Sequence, residues 1–183
     1  MISFPRLFLR TSMAGLLGLV LLGPGALRAA DSPEEARLKA AFVFNFIKFA
    51  EWPEDGAMRR GDSIELCVVG ERPLDGQLDA LKGRSVRGHT VRVRAWAPGA
   101  AGRCDIVFIA AGDGERLRGV LQANARQPLL SVGDEPGFLE RGGIIALKLS
   151  DGRVRFDINL ATARETGLRL SSQLLQLADQ VIQ

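Results

Sequence analysis

Hydrophobic residues along this chain form one long helical pattern, followed by a series of short runs with strand character. The helical pattern begins at Ser32, which suits an N-cap; Pro33 suits the first helical position, and Glu35 completes a capping-box spacing. The helix should run to about Glu51 and stop before Pro53, since a residue that precedes proline is pushed out of the α-helical region. The sequence therefore predicts an N-terminal helix with a sharp end.

The rest of the chain alternates between strand and helix patterns. Strands are predicted at 64–69, 90–96, 105–110, 129–132, 144–149 and 154–158, and helices at 74–81, 115–125 and 171–182. An Asp-Gly pair between the last two strands is a strong hairpin signal.

This alternation predicts an α/β fold, with a mixed, mostly parallel sheet, helices on both faces and a C-terminal antiparallel hairpin. Right-handed crossovers place the first four strands in the order second, first, third, fourth, with the hairpin at one edge. The alternating pattern of 90–96 is typical of a half-exposed edge strand.

The N-terminal helix carries aromatic residues on two sides. At 100° per residue, Phe42, Phe46 and Phe49 share one stripe, whereas Phe44 points nearly the opposite way. One packing surface cannot bury both sides. Either the helix is sandwiched within the core, or one side docks on a partner protein or on a second copy of the chain.

Residues 1–29 have the pattern of a secretory signal peptide, which leaves residues 30–183 as a single domain. Arg6 and Arg10 provide the basic start, an apolar run of about a dozen residues follows, and cleavage is expected after Ala29 or the next residue. An uncleaved membrane anchor is the alternative, but the run is shorter than the about 20 residues that span a bilayer. The mature protein is therefore expected in an oxidising compartment.

Composition narrows the chemistry. The 183 residues carry a formal charge of +3. The leader supplies all of this excess, so the charge gives no argument for nucleic-acid binding. One histidine, two cysteines and no tyrosine exclude chemistry that needs several imidazoles, a Cys/His metal cluster or a phenol. We expect neither an enzyme nor a bound cofactor or metal, and no membrane insertion after cleavage.

The two cysteines, Cys67 and Cys104, both lie in apolar strand-like runs. An isolated pair in an exported protein is most simply a disulfide, which would stabilise the fold by about 4 kcal/mol through loop closure. Two buried free thiols are the alternative, because a bridge requires a strand register that brings the Cα atoms within about 7 Å. A redox switch would require a strained or exposed bond.

Several polar residues have simple structural interpretations. The glycine-bearing turn 110–117 offers N–H groups to an anion, but its own aspartate would repel a phosphate and suits a helix cap. His89 has no partner at a motif spacing and is expected at the surface. Ser171 is better explained as an N-cap than as a nucleophile. Arg153 and Arg155 share one strand face, which is either solvated or in contact with an acidic partner.

Two long stretches are more specific than any single motif. They are KAAFVFNFIKFAEWP, residues 39–53, and VRFDINLATARETGLRLSSQLLQLADQV, residues 154–181. The runs ELCVVG, CDIVFIA, LLSVGD and GGIIALKL lie between them in the expected order. Together they closely resemble the YfiR family of exported bacterial proteins, over nearly all of the mature chain.

The resemblance implies a periplasmic α/β protein that binds the periplasmic part of an inner-membrane signalling protein, typically a diguanylate cyclase, and represses it. Release by envelope stress or redox change would let cyclic-di-GMP rise and favour biofilm formation. The resemblance also implies a bridge between Cys67 and Cys104. Some relatives carry a second cysteine pair, which this chain lacks.

We place partner binding on the aromatic stripe of the N-terminal helix, through Phe42, Phe46, Phe49 and Trp52. The C-terminal helix is a possible extension of this surface. The main alternative is a periplasmic small-ligand binding module, with a pocket at the carboxyl ends of the parallel strands near residues 70–72 and 111–113. An exported hydrolase is disfavoured because no nucleophile motif accompanies the single histidine.

Overall fold

The computed structural model describes residues 31–53, 63–99, 103–124 and 127–183. The expected signal peptide and its cleavage point lie outside the described residues. The helices and strands, in chain order, are α1 (Pro33–Phe49), β1 (Ala50–Glu51), β2 (Ser63–Val69), a 3-10 segment (Pro73–Leu81), β3 (Ser85–Val86), β4 (His89–Ala95), β5 (Ile106–Ile109), α2 (Gly114–Ala123), β6 (Leu130–Gly133), β7 (Ile145–Ser150), β8 (Arg153–Asn159), α3 (Leu160–Glu165), β9 (Arg169–Leu170), α4 (Ser172–Leu177) and β10 (Gln180–Ile182).

Eight of the described strands form one sheet in the order β10-β8-β7-β6-β5-β2-β4-β3. Strand β2 pairs in parallel with β4 and β5, and the pairs β5-β6 and β6-β7 are also parallel. Strands β7 and β8 form the antiparallel hairpin, and its turn residues Asp151 and Gly152 both have positive φ, as a type I′ turn requires. The predicted fold class, the order of the first four predicted strands and the hairpin are confirmed. The expected position of the hairpin at the sheet edge is wrong, because β10 pairs with the outer side of β8.

The central strands of the sheet are buried on both sides, because helices cover both faces. Strands β5 and β6 contain no exposed residue. Ile106 and Phe108 of β5 belong to the buried cluster that includes α1, α3 and α4. Val107 and Ile109 point the other way and belong to the cluster that includes α2. The prediction of helices on both faces is therefore confirmed.

Helix α1 is buried on two sides. On one side Phe46 is 1% exposed, and its ring centroid lies 5.0 Å from that of Phe156 on β8. On the opposite side Phe44 belongs to the same buried cluster as Leu78 and Leu81 of the 3-10 segment. The sandwiched interpretation is confirmed. Phe44 is only 7% exposed and so offers little surface to a second copy of the chain.

The start of α1 follows the sequence more closely than its end. The Ser32 hydroxyl accepts a hydrogen bond from the Glu35 N–H at 3.1 Å, as an N-cap does. The helix ends at Phe49 rather than at Glu51, because Ala50 and Glu51 pair with β9 as strand β1. The expected end is therefore wrong by two residues.

The C-terminal helix predicted at 171–182 is wrong in its second half. Helix α4 ends at Leu177, and the N–H of Asp179 donates to the carbonyl of Phe156 at 2.9 Å. Strand β10 then pairs in parallel with β8. The free edge of β8 offers backbone partners, and the β-branched residues Val181 and Ile182 suit a strand, which together outweigh the helical pattern.

The strand predicted at the sheet edge is β4, which is second from the edge. The two-residue strand β3 pairs with it in antiparallel fashion. Arg87 and Gly88, between the two strands, both have positive φ, which gives another turn of the primed type. The half-exposed pattern of β4 reflects this short covering strand.

We predict that Phe46→Ala lowers the free energy of unfolding by about 3–4 kcal/mol, because it empties a fully buried site between α1 and β8. Urea denaturation followed by circular dichroism measures this. Leu149→Ala is the control, since Leu149 is 55% exposed and its truncation should cost about 0.5 kcal/mol or less. Equal effects of the two changes would contradict the packing described for α1.

Candidate functional site

A buried ammonium group ties α1 to the carboxyl edge of the sheet. Lys39 is 5% exposed, and its Nζ lies 2.6 Å from Asp31 Oδ1, 3.0 Å from Glu35 Oε1 and 2.9 Å from Asp134 Oδ2. Burial by itself would lower the pKa of Lys39, but the hydrogen bonds to Asp31 and Asp134 outweigh it and raise the pKa well above its ordinary value. This lysine therefore stays charged at every physiological pH.

The turn after β5 does present N–H groups, and carboxylates of the same chain occupy them. Asp134 accepts a hydrogen bond from the Ala111 N–H at 2.7 Å. Glu135 accepts from the N–H groups of Gly112, at 3.1 Å, and Gly114, at 2.8 Å. The loop after β6 thus fills the position that an external anion would take, so the candidate anion site of the sequence serves the fold.

A cleft of about 490 Å³ lies at the carboxyl ends of β2 and β4, beneath the 3-10 segment. It includes residues 70–72 of the expected ligand pocket but not residues 111–113. A Cβ on Gly70 would lie 2.7 Å from Asp113 Oδ2, so the Asp113 side chain fills the space between the ends of β2 and β5. The expected pocket is therefore displaced towards β4.

Of two residues predicted to cap helices, Ser171 does so and Asp113 does not. The Ser171 hydroxyl accepts a hydrogen bond from the Leu174 N–H at 3.2 Å, which confirms its role as the N-cap of α4. Asp113 stands at the N-cap position of α2 but makes no capping hydrogen bond there. Its carboxylate instead pairs with Arg116 at 3.4 Å, so the expected cap is wrong. The carboxylate of Glu135 bonds the N–H of Gly114 at this helix start instead.

The polar residues of β4 and β8 lie at the surface or close to it. His89 is half-buried at the start of β4. Arg155 lies 3.4 Å from Asp179, and Lys148 lies 2.8 Å from the same carboxyl group. The hydrogen bond from Lys148 holds the pKa of Asp179 below its ordinary value. Arg153 is exposed on the same strand as Arg155.

The disulfide expected between Cys67 and Cys104 is present, with the Cα atoms 5.7 Å apart. Strands β2 and β5 are neighbours, and Cys67 stands opposite Val107, so the start of the β5 run lies within reach. The two residues are 0% and 3% exposed and belong to the cluster beneath α2. The disulfide interpretation is confirmed over that of two free thiols. The bond is enclosed by protein rather than presented to solvent.

Of the four residues predicted to bind a partner, one is buried against the sheet and three remain partly exposed. Phe46 lies against Phe156 and is not available at the surface. Phe42, Phe49 and Trp52 are each half-buried at the margin of the same core. We call them, with the neighbouring Leu38, which is 45% exposed, the aromatic edge of α1. Phe46 belongs to the predicted stripe by periodicity, but it is the member that faces the sheet.

The carboxyl end of α1 is held as firmly as its start. Arg87 donates hydrogen bonds to the carbonyl of Lys48 at 2.6 Å and to that of Ala50 at 3.3 Å, where helix carbonyls lack partners. The indole Nε1 of Trp52 donates to the carbonyl of Pro128 at 3.1 Å. The aromatic edge is thus carried by a helix that is fixed at both ends.

Lys39 does not stand out from the local sequence pattern, although two features of the sequence indicate it. Glu35 lies four positions earlier on the same helix, and Lys39 lies on the side of the helix that carries the buried residues Ala36, Ala40 and Val43. The decisive partner, Asp134, is 95 positions away. A pattern within one helix does not reveal such a contact.

The described residues contain no grouping of acidic, histidine and cysteine side chains suited to a metal ion. Among the same residues, no helix combines the length and the apolar character needed to cross a bilayer.

A family model described as YfiR/HmsC-like matches residues 36–179, which takes in α1, both cysteines and the hairpin. The chain belongs to the YfiR/HmsC-like family. This YfiR/HmsC-like match spans almost all of the described part of the chain.

Among solved structures, this YfiR/HmsC-like chain is similar to one described as an ABC domain in complex with L-Trp from Streptococcus pneumonia. The identity is 13% and the TM-score is 0.48. The match covers 80% of this chain and 60% of that chain, so this chain spans well under the full length of that protein.

We predict that Lys39→Met lowers the free energy of unfolding by about 3 kcal/mol at neutral pH, because it leaves three carboxylates without their cation. The raised pKa of Lys39 means that its contribution is complete below the unfolded-state pKa of about 10.4 and is lost as the pH rises through the folded-state value. The difference between wild type and variant should therefore shrink above about pH 10.4. Urea denaturation between neutral and strongly alkaline pH measures it.

The matched control for this experiment is Lys82→Met. Lys82 pairs with Asp79 at 2.9 Å, but their side chains are 54% and 65% exposed. Its replacement should change stability by less than about 0.5 kcal/mol. A constant difference between wild type and Lys39→Met up to strongly alkaline pH would contradict the assigned role of Lys39.

We also predict that the double variant Cys67→Ala/Cys104→Ala loses about 4 kcal/mol of stability, since the bridge closes a long loop. Because both residues are buried, reduced glutathione should leave the bridge intact in the native protein and cleave it readily in urea. Alkylation of free thiols followed by mass spectrometry measures both rates. Rapid reduction of the native protein would identify the bond as accessible and favour a redox switch.

Proposed function

We propose that this protein binds the periplasmic sensor domain of an inner-membrane diguanylate cyclase and holds the cyclase inactive. The effect in the cell is a lower concentration of cyclic-di-GMP and less biofilm. The observation that supports this proposal most directly is the aromatic edge of α1, where Phe42, Phe49 and Trp52 remain partly exposed in a family of regulators. Large aromatic side chains at a surface are typical of protein interfaces.

The rigidity of α1 favours a docking role. The Lys39 cluster holds its start, and Arg87 and Trp52 hold its end. A surface that is already ordered loses little conformational entropy on binding, so more of the contact energy is retained as affinity. The aromatic edge therefore suits recognition of a folded partner without rearrangement of this protein.

Repression requires a difference in affinity between two states of the cyclase. A protein that binds the inactive state of the sensor domain more tightly shifts an existing equilibrium towards that state. A tenfold shift requires only about 1.4 kcal/mol of differential affinity. One or two aromatic contacts that form in only one state supply a difference of this size.

The cleft beneath the 3-10 segment supports a second candidate function, the binding of a small molecule. Its volume of about 490 Å³ falls within the usual range for ligand sites, and it lies at the carboxyl ends of parallel strands. Asp75 at its rim has positive φ, a conformation that costs a non-glycine residue about 1 kcal/mol or more. A ligand would act here as a modulator of the regulator.

The proposed function is tested by affinity purification with the tagged mature protein, using membranes from the source bacterium. Recovery of a membrane protein that combines a periplasmic sensor with a diguanylate cyclase domain is the expected result. Leu38→Glu should reduce that recovery about tenfold, because it places a charge on the aromatic edge without opening the core. Loss of recovery with reduced protein would make the disulfide part of the release mechanism.

The control variant is Leu149→Glu, which alters an equally exposed leucine on the hairpin. It should leave recovery unchanged. Deletion of the gene should raise the cellular concentration of cyclic-di-GMP. Expression of the wild-type protein in the deletion strain should lower that concentration to its original level. If folded wild-type protein recovers no cyclase, the repressor proposal fails and a thermal-shift screen of small molecules tests the second candidate.

A further inference from the structure

A shallow groove of about 380 Å³ runs between α1 and the 3-10 segment, on the side of α1 away from the aromatic edge. We call it the basic groove. Its principal lining residues are Arg37, Ala41, Phe44 and Lys48 from α1, and Ala80 and Arg84 from the opposite wall. The charged residues in its lining are all cations.

The groove follows one stripe of the helix. Arg37, Phe44 and Lys48 lie at spacings of seven and four residues, which place them on one side of α1. Arg37 and Lys48 are eleven positions apart, so they are separated by about 16 Å along the helix axis. That length matches about five residues of extended polypeptide.

The floor of the groove fixes two of the cations. The guanidinium carbon of Arg84 lies 4.4 Å from the ring centroid of Phe44, and Nζ of Lys48 lies 4.9 Å from the same centroid. Cation–π contacts of this kind orient the charged groups. Because both contacts are to one ring, the two positive charges are held at the same part of the groove.

No carboxylate among the described residues pairs with the three cations of the groove. Within the described residues, Arg37, Lys48 and Arg84 form no ion pair, and Lys48 donates only to the side chain of Asn45 at 3.3 Å. The neighbouring lysines differ, since Lys39 binds three carboxylates and Lys82 pairs with Asp79. The positive charge of the groove is therefore local.

We infer that the basic groove binds an acidic, extended segment of the partner's periplasmic domain, about five residues long, beside the contact made by the aromatic edge. This inference rests on the proposed function and specifies the chemistry of the partner. The exposed alanines of the groove, Ala41 and Ala80, permit close approach of a polypeptide backbone. Carboxylates of the segment then meet Arg37, Arg84 and Lys48, with Phe44 beneath them.

The test uses a display library of random peptides selected against the full mature protein at low salt. Recovered peptides should be enriched in aspartate and glutamate, and their affinity should fall as salt is added. The variant Arg37→Glu/Arg84→Glu should bind them about tenfold more weakly. Arg37→Lys/Arg84→Lys keeps the charge and should retain most of the affinity.

The matched control is Arg118→Glu/Arg164→Glu, which makes the same change of net charge at two exposed arginines outside the groove. It should bind the peptides as well as the wild type does. Circular dichroism and thermal unfolding verify that each variant is folded. Recovered peptides without acidic enrichment, equal binding by Arg37→Glu/Arg84→Glu, or recovery of no peptide would each overturn the inference.

Two further measurements separate other occupants of the groove. In the first, the protein is cosedimented with phosphatidylglycerol vesicles. If the wild type binds the vesicles, Arg37→Glu/Arg84→Glu alone does not, and no acidic peptide binds, the groove is assigned to a lipid surface. A wild-type dimer in analytical ultracentrifugation that the same variant dissociates would assign it to a second copy of the chain. Either result would overturn the acidic-segment inference.

Purification from membranes with the same variants separates this inference from the proposed function. If the wild type and Arg37→Glu/Arg84→Glu recover the cyclase equally, the groove is not the contact and the repressor function stands. If the wild type recovers no cyclase, the repressor proposal fails, whereas the peptide selection still decides whether the groove binds acidic segments.

Discussion

The ammonium group of Lys39 lies where water is largely excluded, so its charge depends on the three carboxylates around it. That requirement fixes the start of α1 against the loop after β6. The same loop supplies the carboxylates that bind the N–H groups of the turn after β5. One buried cation thereby sets the position of the long helix relative to the sheet, and removal of either side would leave charge buried without compensation.

This arrangement fills part of the place where α/β sheets usually bind ligands. At the carboxyl ends of β5 and β6, Asp134 and Glu135 occupy the backbone donors, and Asp113 fills the space beside Gly70. What remains accessible is the outer side of α1 and the cleft displaced towards β4. The surface of a rigid helix is suited to protein contact, because little conformational entropy is lost on binding.

Local patterns predict much of this fold. Ser32 and Ser171 act as caps, as their sequence positions indicate, and right-handed crossovers give the observed strand order. The failures are instructive because each depends on distant residues. Strand β10 forms only because β8 offers a free edge, and the two-residue difference at the end of α1 depends on β9. Periodicity places Phe46 with Phe42, and both rings contact Phe156, but only the folded structure shows that Phe46 is fully buried while Phe42 stays half-buried.

The two tryptophans and the absence of tyrosine give this protein a simple optical signature. Trp52 lies on the aromatic edge with its indole bonded to the carbonyl of Pro128, whereas Trp96 lines a small pocket together with Cys104. Disulfides quench the fluorescence of nearby indoles, so emission from Trp96 depends on the state of the bridge. Emission from Trp52 depends on the environment of the helix surface. The chain therefore carries one intrinsic fluorophore beside its disulfide and another on the aromatic edge of α1.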